Sequence, residues 1–126
     1  MRPSLRRALL VLAIGAHLLA LYAPRVPSTG AEGVPGSDKL VHAAVFALVA
    51  LTGMLAGVPA RVLVPLLLAH AVVSELVQHA LLPNRSGDVW DAVADVVGVA
   101  LGWALGRALS ARRDPRAARG PSGPDR

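Results

Sequence analysis

Hydrophobic positions along the chain fall into four runs, residues 8–23, 40–57, 62–82 and 89–109, separated by short segments rich in Pro, Gly and Arg. Runs of 16 or more apolar residues with almost no charge are the length a helix needs to cross a bilayer. Pro59 and Arg61 mark a tight turn between the second and third runs, and Pro65 falls in the first turn of the third, where a missing N–H is tolerated. Residues 24–37, dense in Pro, Gly and Ser, read as an exposed loop, as do residues 83–87. The pattern predicts an all-α polytopic membrane protein with four transmembrane helices in an up-down bundle. The domain is expected over residues 1–109, and residues 110–126, a polar Arg/Pro/Gly stretch, are expected to be a disordered tail.

Polar positions inside the runs are few and periodic. Residues three, four or seven apart share a helix face. Asp38 and His42 are four apart, Glu75 lies three from Gln78 and four from His79, and Asp88, Asp91 and Asp95 stand at i, i+3 and i+7. In line with Asp95 come Gly98, Gly102 and Gly106, each four apart, and the second run carries Gly53 and Gly57. Such spacing of small residues lets membrane helices approach closely, so all five glycines are expected to pack helices together. The polar stripe on the fourth run continues into its glycine stripe, so that face should point into the bundle. If the runs cross up and down, every one of these polar groups lies toward the same membrane face. At 1.5 Å per residue Glu75 and Asp95 lie roughly 10 Å below that end, and His42 and Asp91 about one turn in.

Composition sharpens the class. The 126 residues are 54% hydrophobic and 17% charged, against roughly 25% charged in soluble domains, and mean hydropathy is +0.53. Cysteine is absent, which removes disulfides and thiolate chemistry. The net charge of +5 has a location: Arg2, Arg6, Arg7, Arg61 and six arginines from Arg107 onward fall on one side of the runs, and only Arg25, Lys39 and Arg85 on the other. Ten against three puts both termini in the cytoplasm by the positive-inside rule, and the polar cluster on the outer side. Flanking arginines of this kind are an orientation signal, and no nucleic-acid partner is expected. The basic start and short apolar core of the first run also fit a signal peptide, but no small-x-small cleavage site follows, so an uncleaved helix is expected.

Asp38-Lys39-x-x-His42, then Glu75-x-x-Gln78, then Arg85, Asp91 and Gly98 resemble the signature of VanZ-like integral membrane proteins over residues 36–109. Where that family usually carries Asn, this chain has Asp95. The resemblance implies a cell-membrane protein of bacteria and an association with low-level teicoplanin resistance; it supplies no molecular activity.

The candidate pocket is therefore Asp38, Lys39, His42, Glu75, Gln78, Arg85, Asp91 and Asp95. Bland roles compete at each position. Asp38 and Asp88 suit helix caps. Glu75 suits a structural pair with Arg85 or Lys39, with Gln78 as its hydrogen-bond neighbour, and His17 and His70 suit packing or interhelical hydrogen bonds. Three functions fit. The pocket binds or remodels an envelope component, with Lys39 and Arg85 holding an anionic head group or lipid-linked precursor and the acids holding sugar or amine groups. Alternatively, His42 with Glu75 or Asp91 performs acid–base chemistry on a lipid-linked substrate, although no nucleophile stands out. Alternatively, the polar core only fixes helix register. His42, Asp91 and Glu75 make a hard ligand set, but their spacing matches no standard metal motif, so no cofactor is expected. The glycine stripes leave homo-oligomerisation open.

Overall fold

The computed structural model describes residues 1–23, 36–81 and 89–112. They form four helices, α1 (Pro3–Tyr22), α2 (Ser37–Ala56), α3 (Ala60–Leu81) and α4 (Val89–Ala111), with no strand among the described residues. Of the loop expected at 24–37, residues 24–35 lie outside the described residues and Ser37 already belongs to α2; residues 82–88, with Arg85 and Asp88, and the tail from 113 onward also lie outside them.

Each helix is 20 to 23 residues long, and all four are long and apolar enough to cross a membrane. At 1.5 Å per residue that is about 30 Å or slightly more, the thickness of a bilayer's hydrocarbon core. Four boundaries extend beyond the apolar runs. α1 begins at Pro3, so Arg6 and Arg7 belong to the helix, and α2 takes in Asp38 and Lys39 as its first turn. α3 starts at Ala60, and α4 continues to Ala111, so its last turn takes in the first residues of the expected tail.

Contacts between residues far apart in sequence give the directions. His42 meets Asp95 while Gly106 faces Met54, so α2 and α4 run parallel. His17 meets His70 and Leu21 meets Gln78, so α1 and α3 run parallel. Arg6 donates to the Leu55 carbonyl at 3.4 Å, which ties the start of α1 to the end of α2, and Gly53 at the end of α2 faces Leu63 at the start of α3. The two parallel pairs are thus antiparallel to one another, which is an up-down bundle.

The burial pattern is inverted relative to a water-soluble bundle. Leu12, Leu19, Leu66, Leu76 and Leu101 are each 60% exposed or more. His17, His42, Thr52, Ser74, Gln78, Asp91 and Asp95 are buried. Apolar outside and polar inside is stable where the surroundings are hydrocarbon, because lipid solvates Leu and leaves a polar group to find its partner in protein. Thr52 and Ser74 do so within their own helices, donating to the Leu48 and Ala71 carbonyls at 2.7 and 2.9 Å. The apolar core is small and centres on Phe46, Leu21, Val49, Ala50 and Val99.

Glycine sets the closest approach. A Cβ at Gly98 would collide with the Ala43 carbonyl and one at Gly102 with the Ala47 carbonyl, while one at Gly106 would sit 2.6 Å from Met54 Cβ. A Cβ at Gly53 would sit 2.7 Å from a methyl of Leu63, a flexible neighbour. Gly57 departs from the expected packing role. It is the C-cap of α2, left-handed at φ +90°, and a Cβ there would meet nothing within 4 Å. Its amide bonds back to Met54 and that of Val58 to Gly53, so the residue stops the helix in a Schellman turn instead of packing one.

Gly98→Ala or Gly102→Ala forces backbone apart from backbone, so each should destabilise the bundle by about 2–3 kcal/mol. Gly15→Ala, where a Cβ meets nothing, should be neutral. Thermal unfolding of the three variants in one detergent checks the ranking.

Candidate functional site

The polar residues of α2, α3 and α4 converge at one end of the bundle. His42 lies five residues into α2, Asp95 six into α4, and Glu75 six before the end of α3, so all three stand about 8–9 Å inside the helix ends. The parallel course of α2 and α4 puts their two starts side by side. The antiparallel course of α3 brings its far end to the same level.

His42 is the hub. Its Nδ1 lies 2.9 Å from Asp95 Oδ1, a buried hydrogen bond, and 3.8 Å from Glu75 Oε1. Its Nε2 lies 4.0 Å from Asp91 Oδ2. Asp91 Oδ1 in turn accepts from Lys39 Nζ at 3.2 Å, and the same ammonium reaches Asp38 Oδ2 at 3.3 Å. The groups form a graded series from membrane surface to interior. The side chains of Lys39 and Asp38 are 36% and 38% exposed, those of Asp91 and His42 8%, and that of Asp95 fully buried. The second oxygen of Asp95 is buried without a hydrogen-bond partner among the described residues.

Of the eight expected pocket residues, Asp38, Lys39, His42, Glu75, Asp91 and Asp95 are brought together. Asp38 stands in the first turn of α2, where an acid suits a helix N-terminus, and it also pairs with Lys39. Gln78 is buried but turns away, donating from Nε2 to the Leu21 carbonyl at 2.9 Å, which pins the end of α1. Its predicted neighbour was Glu75. His79 is exposed and does not share the buried face of Glu75. Arg85 lies outside the described residues.

No protein-family model, curated protein or solved structure matches this chain.

His17 and His70, expected to pack or to hydrogen-bond between helices, do the latter with each other in a second polar knot. His17 Nε2 and His70 Nδ1 lie 3.1 Å apart, and the Tyr22 hydroxyl lies 3.1 Å from His70 Nε2. The ring of Phe46 packs edge-on against His17, centroids 4.5 Å apart. His17 and His70 are 53 positions apart, and no local spacing links them; only the parallel course of α1 and α3 does. This knot ties α1 to α3, and Phe46 brings in α2. Separately, a groove of about 470 Å³ opens between α3 and α4, lined by Arg61, Pro65, Leu68, Val96 and Trp103. It is almost wholly apolar and lies toward the opposite end from the carboxylates.

The two polar residues at the margins of the cluster should respond differently to substitution. Gln78→Leu leaves the Leu21 carbonyl short of its donor in a buried place and should cost about 1–3 kcal/mol. Asp38→Asn removes half of a partly exposed pair and should cost at most about 1 kcal/mol. Thermal unfolding in detergent separates the two.

Proposed function

We propose that this protein binds a hydroxyl- and amine-bearing component of the bacterial cell envelope in the polar cluster at the outer ends of α2, α3 and α4. A lipid-linked cell-wall precursor is the class of ligand the resemblance to VanZ-like proteins favours, and low-level protection against teicoplanin is the expected consequence. One observation carries the reading. Six ionisable groups from three helices converge at one membrane face, graded from half-exposed to fully buried, and such a gathering is expensive in hydrocarbon unless it serves a ligand. Each buried acid costs about 2.5 kcal/mol or more when it lacks compensation.

The charge balance supports the ligand class. Asp38, Glu75, Asp91 and Asp95 stand against Lys39 and His42, and Lys39 is already held between two carboxylates. An acid-rich cluster favours groups that donate hydrogen bonds, such as sugar hydroxyls and ammonium, over a bare anion. The excess of basic residues on the side opposite the cluster supports an outward-facing site in the cytoplasmic membrane, with both termini inside.

Expression in a teicoplanin-sensitive Gram-positive host tests this reading. The wild-type chain should raise the inhibitory concentration, and Glu75→Gln, Asp91→Asn and Lys39→Gln should return it to that of cells without the protein, at equal membrane abundance. Full protection by all three variants would contradict the assignment of the site, and no protection by the wild type would contradict the function.

A further inference from the structure

We propose that His42, Glu75 and Asp95 form a binding site for a divalent metal ion of the zinc or manganese type, one ligand from each of α2, α3 and α4. This rests on the geometry of the three side chains and is independent of the envelope-ligand reading.

One ligand atom from each residue lies within 4.8 Å of the other two. Two ligands bound at about 2.1 Å to a tetrahedral ion stand about 3.4 Å apart. The His42 Nδ1 contacts, 2.9 Å to Asp95 and 3.8 Å to Glu75, straddle that value, each within about half an ångström of it. A single imidazole with two carboxylates suits zinc or manganese better than the softer, thiol-seeking metals.

Two further observations point to an ion instead of a self-contained hydrogen-bond cluster. Asp95 is wholly buried, and its Oδ2 has no hydrogen-bond partner among the described residues, so this carboxylate holds unused ligating capacity inside the bundle. The other face of His42 is also arranged for a ligand role. Its Nε2 faces Asp91 at 4.0 Å, and Asp91 is held by Lys39. A histidine that binds metal through one nitrogen characteristically presents the other to a carboxylate, which orients the ring.

The charge closes. A neutral imidazole and two carboxylates sum to −2, and a divalent ion makes the buried site neutral, which removes the cost of two acids in hydrocarbon. In the metal-bound state the imidazole is neutral, coordinating through Nδ1 and carrying its one proton on Nε2, the nitrogen 4.0 Å from Asp91; the proton displaced from Nδ1 is released to water. Three protein ligands leave at least one coordination position open, as in zinc sites that bind a water or a substrate oxygen.

The test uses the full chain, purified without a histidine tag in detergent, stripped with chelator, loaded with Zn2+ or Mn2+ and passed over a desalting column. Metal content should be about one ion per chain, the stoichiometry of a single three-ligand site. Glu75→Gln and Asp95→Asn should retain only the metal of empty micelles, while His79→Gln retains the wild-type amount. Wild-type protein without bound metal overturns the proposal, and so does full retention by both Glu75→Gln and Asp95→Asn. Should those variants fail to fold, Co2+ loading of the wild type decides. An intense visible band from four- or five-coordinate cobalt supports the site, and the weak spectrum of aqueous cobalt overturns it.

Discussion

The hydrogen bond between His42 and Asp95 is the contact on which the arrangement of this bundle turns. It joins α2 to α4 at 2.9 Å in a place where Asp95 is fully buried and His42 nearly so. Fixing a histidine to a carboxylate across two parallel helices sets their register. A shift of one residue along either helix separates the pair and leaves a carboxylate alone in the interior, at a cost of several kcal/mol. The remaining polar groups are placed by this register. Asp91 comes to the other side of the imidazole, Lys39 comes to Asp91, and Glu75 arrives from α3 on the open flank of the ring.

That hydrogen bond has a precondition in the backbone. Side chains as short as histidine and aspartate meet directly only if their helices nearly touch, and α2 and α4 do so because Gly98 and Gly102 present no Cβ to the carbonyls of Ala43 and Ala47. The stripe of small residues and the polar stripe are thus one device: close packing along most of the interface, polar pairing at the end where α2 and α4 begin. This use of α4 also occupies its glycine face within a single chain, so that face is not available for a second copy. Outside the α2–α4 seam the bundle is held more loosely, with Gln78 and the His17–His70–Tyr22 knot securing α1.

Much of this was legible in the sequence because helical periodicity is a local property. Asp91, Asp95, Gly98, Gly102 and Gly106 lie on one buried face of α4, as their spacing predicts, and Asp38, Lys39 and His42 open α2 at the same membrane level. What the spacing did not reveal lies between helices. Local neighbours suggested that Gln78 serves Glu75, whereas its partner is a backbone carbonyl of α1. Small-xxx-small spacing gave Gly53 and Gly57 the same role, but a helix ends at the second, and left-handed backbone geometry governs it. His17 and His70 read as isolated because the partner of each is supplied by topology. The ligating trio is likewise assembled by topology, since Glu75 joins Asp95 in place of Asp91 only once α3 is laid against the α2–α4 pair.

A double-mutant cycle on His42 and Asp95, read as unfolding free energy in detergent, tests this account most directly. His42→Leu and Asp95→Leu singly should each destabilise the bundle, by about 3–5 kcal/mol for the variant that strands the buried acid, and the double variant should recover part of the loss because Asp95 is no longer stranded. Strict additivity of the two single effects would contradict the claim that this contact sets the register of α2 and α4.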